Sequence, residues 1–115
     1  MEWKEKLEEL KESFEETDRD MARELALFAD NNEDLYRQKI QSFISNYARK
    51  MKRGEFNKQR AIEGLANNLF PEAKKKYIQE TGIDLGRVDK GTKMLFGKIM
   101  LENIMVDYLE EEAEK

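Results

Sequence analysis

YARKMKRGEFNKQRA, residues 47–61, holds six cationic side chains and one acidic one in a chain whose net charge is −4. Its layout is that of a helix end, a turn and a helix start. Arg49, Lys50, Lys52 and Arg53 occupy a last helical turn, where cations interact favourably with the negative end of the helix. Gly54 follows as a left-handed C-cap residue, a conformation that glycine adopts without steric cost. A new helix is expected from about Asn57. Helix–turn–helix DNA readers use short turns of this kind.

Outward from this turn the apolar residues keep helical spacing. Upstream, a helix from about Glu33 to Arg53 would turn Tyr36, Ile40, Phe43, Ile44, Tyr47, Ala48 and Met51 inward, with Asn31 or Asn32 as its cap and Glu33 and Asp34 in its first turn. Before it, Trp3, Leu7, Leu10, Phe14, Thr17, Met21, Leu25 and Phe28 form a stripe spaced by three and four. That element is one helix, or two with a break near Thr17, and ADNNED (29–34) stops it. Downstream, Ala61, Ile62, Leu65, Ala66 and Leu69 mark a third helix. Pro71 suits the first turn of a fourth, which carries Ala73, Tyr77 and Ile78 and stops at Gly82. GIDLGRVDKG (82–91) reads as a loop. A last helix is expected over about Thr92–Glu111, with Thr92 or Asp89 as its cap. The expectation is an all-α single domain over 1–115, a compact bundle of about five helices. The last helix is apolar over much of its circumference, so it is expected to be central or to form a homo-oligomer interface.

Composition narrows the chemistry. Of 115 residues none is Cys and none is His, which removes disulfides, thiolate sites and the commonest general base and metal ligand. With those groups absent, a non-enzymatic role without cofactor is the expectation. No apolar run approaches a membrane span, and the polar start MEWKEKLEEL does not read as a signal peptide, so a cytoplasmic location and no membrane partner are expected.

Charge is segregated. Residues 1–34 hold 5 cations and 13 acids, a net of −8; residues 35–82 hold 11 and 4, a net of +7; residues 83–115 hold 5 and 8, a net of −3. The candidate binding residues are therefore Arg49, Lys50, Lys52, Arg53, Lys58, Arg60, Lys74, Lys75 and Lys76. The helix dipole accounts for the first four. Lys58 and Arg60 lie at a helix start, where positive charge is mildly unfavourable. Two readings stay open: a solvated face or partner of the acidic first segment, and a surface for an external anion, with Tyr47, Phe56 or Tyr77 as aromatic neighbours.

Other patterns favour bland readings. The acidic face of the first segment could imitate a phosphate backbone but is common on soluble helices, and Glu12 with Glu16 lacks a third metal ligand. GRVDKGTK (86–93) has the glycine spacing of a phosphate loop, Gly86 and Gly91, but the order Gly-Thr-Lys in place of Gly-Lys-Thr. Met21, Met51, Met94, Met100 and Met105 read as core fillers.

The stretch 44–82, through Gly54, Phe56, Asn57, Ala61, Ala73 and Tyr77, resembles small helical open reading frames of tailed phages. The resemblance implies a phage or prophage origin and carries no catalytic residue. The expected function is an accessory protein that binds a host or defence protein and blocks it by occlusion. The alternative is DNA or RNA binding through the same cations.

Overall fold

The computed structural model describes residues 20–114; the expected stripe from Trp3 to Phe14, the break near Thr17 and the acidic first face lie outside them. The described residues are all-helical and form four helices: α1 (Asp20–Asn31), α2 (33–52), α3 (58–81) and α4 (90–114). One residue separates α1 from α2. Asn32 leaves the helical region (φ −89°, ψ 112°), and its Oδ1 accepts the Leu35 N–H at 3.0 Å, so the same asparagine ends one helix and caps the next.

The turn at 53–57 closes both helix ends. Gly54 has φ 72°. The Glu55 N–H donates to the Lys50 carbonyl at 2.8 Å and the Gly54 N–H to the Met51 carbonyl at 3.1 Å, the paired bonds of a Schellman ending. Asn57 Oδ1 then accepts the Arg60 N–H at 3.0 Å and starts α3. Gly82 (φ 74°) stops α3 as expected, and Asp89, one of the two caps left open by the sequence, starts α4 at Lys90, two residues before the expected Thr92.

The expected break at Pro71 is absent, which reduces about five helices to four. Leu69 (φ −89°, ψ −40°) and Phe70 (φ −55°, ψ −47°) stay helical, and α3 runs from Lys58 to Thr81 without a loop. The reason is a wide turn directly before the proline. Over Leu65–Leu69 the helix has π geometry, and the Phe70 N–H donates to the Leu65 carbonyl five residues back. Pro71 thus enters in the first turn of a fresh α-helical run, where its missing N–H costs little.

Similar π segments occupy Tyr36–Ile40 in α2 and Met100–Met105 in α4. In two of the three helices the apolar spacing explains them. Leu65, Leu69, Ala73 and Tyr77 are all buried at strict intervals of four, as are Leu101, Met105, Leu109 and Ala113. A four-residue interval drifts by about 40° per step on a helix of 3.6 residues per turn. A wider turn absorbs the drift and keeps the stripe facing inward.

α4 touches all three other helices. Its first part, Lys90–Ile99, packs on α1 and α3, and its last part, Val106–Glu114, packs on α2. Phe96, Met100, Leu101, Met105 and Leu109 are completely buried. Where α3 and α4 cross, Gly97 lies so close to Ile62 that an added Cβ would stand 2.5 Å from the Ile62 carbonyl oxygen. Met51, Met100 and Met105 are core residues, whereas Met21 is exposed. Among the described residues no helix is long and apolar enough to cross a membrane.

Candidate functional site

The nine cations singled out from the sequence fall into three groups. Arg49, Lys50, Lys52 and Arg53 end α2, Arg60 lies in the first turn of α3, and all five are exposed. None of the five forms an ion pair among the described residues. They surround the doubly capped turn, so their backbone is held by hydrogen bonds while their side chains reach solvent. We refer to this feature as the tip.

Lys58 does not belong to it. Its Nζ lies 2.7 Å from Oε1 of Glu102, whose side chain is 4% exposed. The pair ties the start of α3 to the middle of α4, so Lys58, with a side chain 30% exposed, is engaged by a buried carboxylate. Lys76 is likewise engaged, 3.2 Å from Asp34 at the start of α2. Next to it, Asn32 Nδ2 donates to Glu80 at 2.5 Å, so the end of α3 is fastened to the α1–α2 corner.

Lys74 and Lys75 form a second basic cluster. Fifteen residues of helix separate Arg60 from Lys75, about 22 Å along the axis, so the two clusters are distinct. Lys74 Nζ donates to the Gly86 carbonyl and pins the 82–89 loop to α3. Together Lys74, Lys75, Arg87 and Lys93 line a groove of about 450 Å³ whose other walls are Phe70, Pro71, Ile78 and Val88. Sequence reasoning missed Arg87 and Lys93. Both lie in GRVDKGTK, whose departure from the order of a phosphate loop hides its basic content, the signal that the sequence offers for them.

The aromatic residues expected beside the cations are committed to the core. Tyr47 and Phe56 pack edge-on at 5.9 Å, and the Tyr47 hydroxyl donates to the Ala61 carbonyl at 3.2 Å. Burial pushes the Tyr47 phenol well above its usual range. Tyr77 is buried too, donating to Glu24 at 3.0 Å and meeting Phe28 edge-on at 5.2 Å; the Glu24 hydrogen bond and then burial raise its phenol. Asp30 is raised by burial, which outweighs the opposing hydrogen bond from Tyr108. Among the described residues no three carboxylates converge as a metal site would require.

The described residues therefore form four helices with a basic tip and a separate basic groove. The chain belongs to the family described as a domain of unknown function (DUF4856), whose model matches residues 8–114. No curated protein and no solved structure matches it.

Proposed function

We propose that this chain is a non-enzymatic phage or prophage accessory protein that binds an acidic face of a host or defence protein through the tip and acts by occlusion. The observation that carries the reading is Arg60. The dipole of α2 stabilises the four cations at its end, each by roughly 0.3–1 kcal/mol. Arg60 sits at the positive end of α3, exposed and without an acidic partner among the described residues. Its charge completes a five-cation patch that helix chemistry alone does not require. The resemblance of residues 44–82 to small phage reading frames supports the origin.

A protein partner is favoured over nucleic acid for two reasons. Tyr47 and Phe56 are 5% and 6% exposed, so the tip offers no aromatic platform for stacking bases. The net charge of −4 also disfavours approach of a polyanion. The test is capture from host extract by the intact tagged protein, beside a variant with Arg49→Glu, Arg53→Glu and Arg60→Glu. A protein retained by the first and lost by the second, with helical content unchanged, is the expected result. Sub-micromolar binding to DNA or RNA at ~150 mM salt, falling steeply as salt rises, would replace the protein partner by nucleic acid.

A further inference from the structure

We propose that the groove between the second half of α3 and the loop entering α4 is a binding site for a small organic phosphate. The volume of about 450 Å³ lies within the range of roughly 300–1,000 Å³ typical of small-molecule sites. Four of its lining residues are cations and none is acidic. Like charges gathered around one concavity repel one another, and a bound dianion relieves that repulsion.

Among the described residues neither Asp84 nor Asp89 forms an ion pair with a cation of the groove. Asp84 Oδ1 accepts the Gly86 N–H at 2.8 Å, and Asp89 Oδ1 accepts the Thr92 N–H at 2.7 Å, so both carboxylates serve the loop backbone. Lys74 is held by the Gly86 carbonyl and Lys93 lies 6.0 Å from the centre of the Phe70 ring, which leaves Lys75 and Arg87 as the exposed charges of the groove without an ion pair among the described residues. An arginine fork and a lysine together suit a phosphate, the first by paired N–H donors and the second as a point charge.

The remaining wall is apolar. Pro71 and Ile78 of α3 face the groove, with Val88 from the loop. A purely solvated charged face needs no such floor; a ligand with an aromatic or alkyl body does. The site is independent of the tip, so the two proposals fail separately.

The test titrates the full-length protein with inorganic phosphate, phenyl phosphate and hexyl phosphate, by calorimetry and by amide chemical-shift mapping. We expect at least one organic phosphate to bind roughly tenfold tighter than inorganic phosphate, the difference reflecting burial of the apolar body. Shifts should centre on Lys75, Ile78 and Arg87. The double variant Lys75→Glu with Arg87→Glu should lose at least about tenfold in affinity, while Arg53→Glu at the tip should bind normally. Lys93→Gln provides a second, milder variant with the same expected direction. Equal binding of all three phosphates, binding that survives the charge reversals in a folded protein, or no saturable binding up to ~10 mM would overturn the proposal.

Discussion

At Gly97 the backbones of α3 and α4 approach more closely than any other residue type would permit. A Cβ at this position would stand 2.5 Å from the Ile62 carbonyl oxygen and 3.3 Å from the Ile62 Cγ2. Neither the carbonyl nor the helix carrying it can move alone. Gly97→Ala is therefore expected to destabilise the protein by about 1–3 kcal/mol despite the better helix propensity of alanine, as a denaturant titration would show. Asp89 is a residue with a pH signature. The Thr92 backbone hydrogen bond, followed by its side-chain hydrogen bond, holds the Asp89 carboxyl below the usual carboxylate range. A depressed folded value means that the contribution is present above the unfolded carboxylate pKa and is lost as pH falls through the folded value. Asp89→Asn should keep a cap at neutral pH and flatten the acid limb of a plot of Tm against pH. An unchanged acid limb would show that Asp89 ionisation is not linked to folding.

Among the elements, the turn between α2 and α3 illustrates how much a few local residues decide. Gly54 supplies the positive φ, Asn57 the cap, and Phe56 an apolar anchor against Tyr47. All three can be read in GEFN. Gly54→Ala forces a Cβ into the left-handed region and should cost about 1–2 kcal/mol, measurable as a lowered melting temperature. The ion pair between α3 and α4 is a different case. Lys58 and Glu102 are separated by 44 positions, and nothing local to either announces the partner. Lys58→Glu places a second carboxylate against one that is 4% exposed, and a loss of about 3 kcal/mol or more is expected. Arg53→Glu, at the exposed tip, should cost no more than about 1–2 kcal/mol, the loss and reversal of one favourable charge at the helix end. Equal and small effects of the two reversals would show that the Lys58 contact contributes little. The π segments also belong to this scale. The four-residue apolar interval that calls for a wide turn is visible in Leu65, Leu69, Ala73 and Tyr77 once it is sought.

Across the whole molecule, α4 holds the other helices together and the charges are sorted onto its surroundings. Met100 is completely buried, in the helix that contacts α1, α2 and α3. Met100→Asp should unfold the protein, because a lone carboxylate in that position costs more than about 3 kcal/mol, and circular dichroism would report the loss of helix. Retained melting behaviour would place Met100 outside the core. The helix boundaries were legible because caps act over three or four residues: Asn32, Gly54, Asn57, Gly82 and Asp89 each satisfy backbone groups within one turn of themselves. The sequence by itself thus determined the all-helical character of the described residues, the ends of α2, the end of α3 and the inward faces of α2 and α3; in α1 it turned the exposed Met21 inward and missed the fully buried Ala22, Ala26 and Ala29. Three things waited for the tertiary structure. The fusion of the expected third and fourth helices needed Phe70 seated edge-on against Phe96 at 5.3 Å, a contact that holds the residue before the proline helical against its own preference. The engagement of Lys58 by a buried carboxylate needed Glu102 brought beneath it. The division of the cations into a tip and a groove needed the length of an unbroken α3 between them and the loop of 82–89 folded back onto its far end. Each depends on residues distant in the chain, and only packing, which joins distant residues at a cost in chain entropy, decides where they meet.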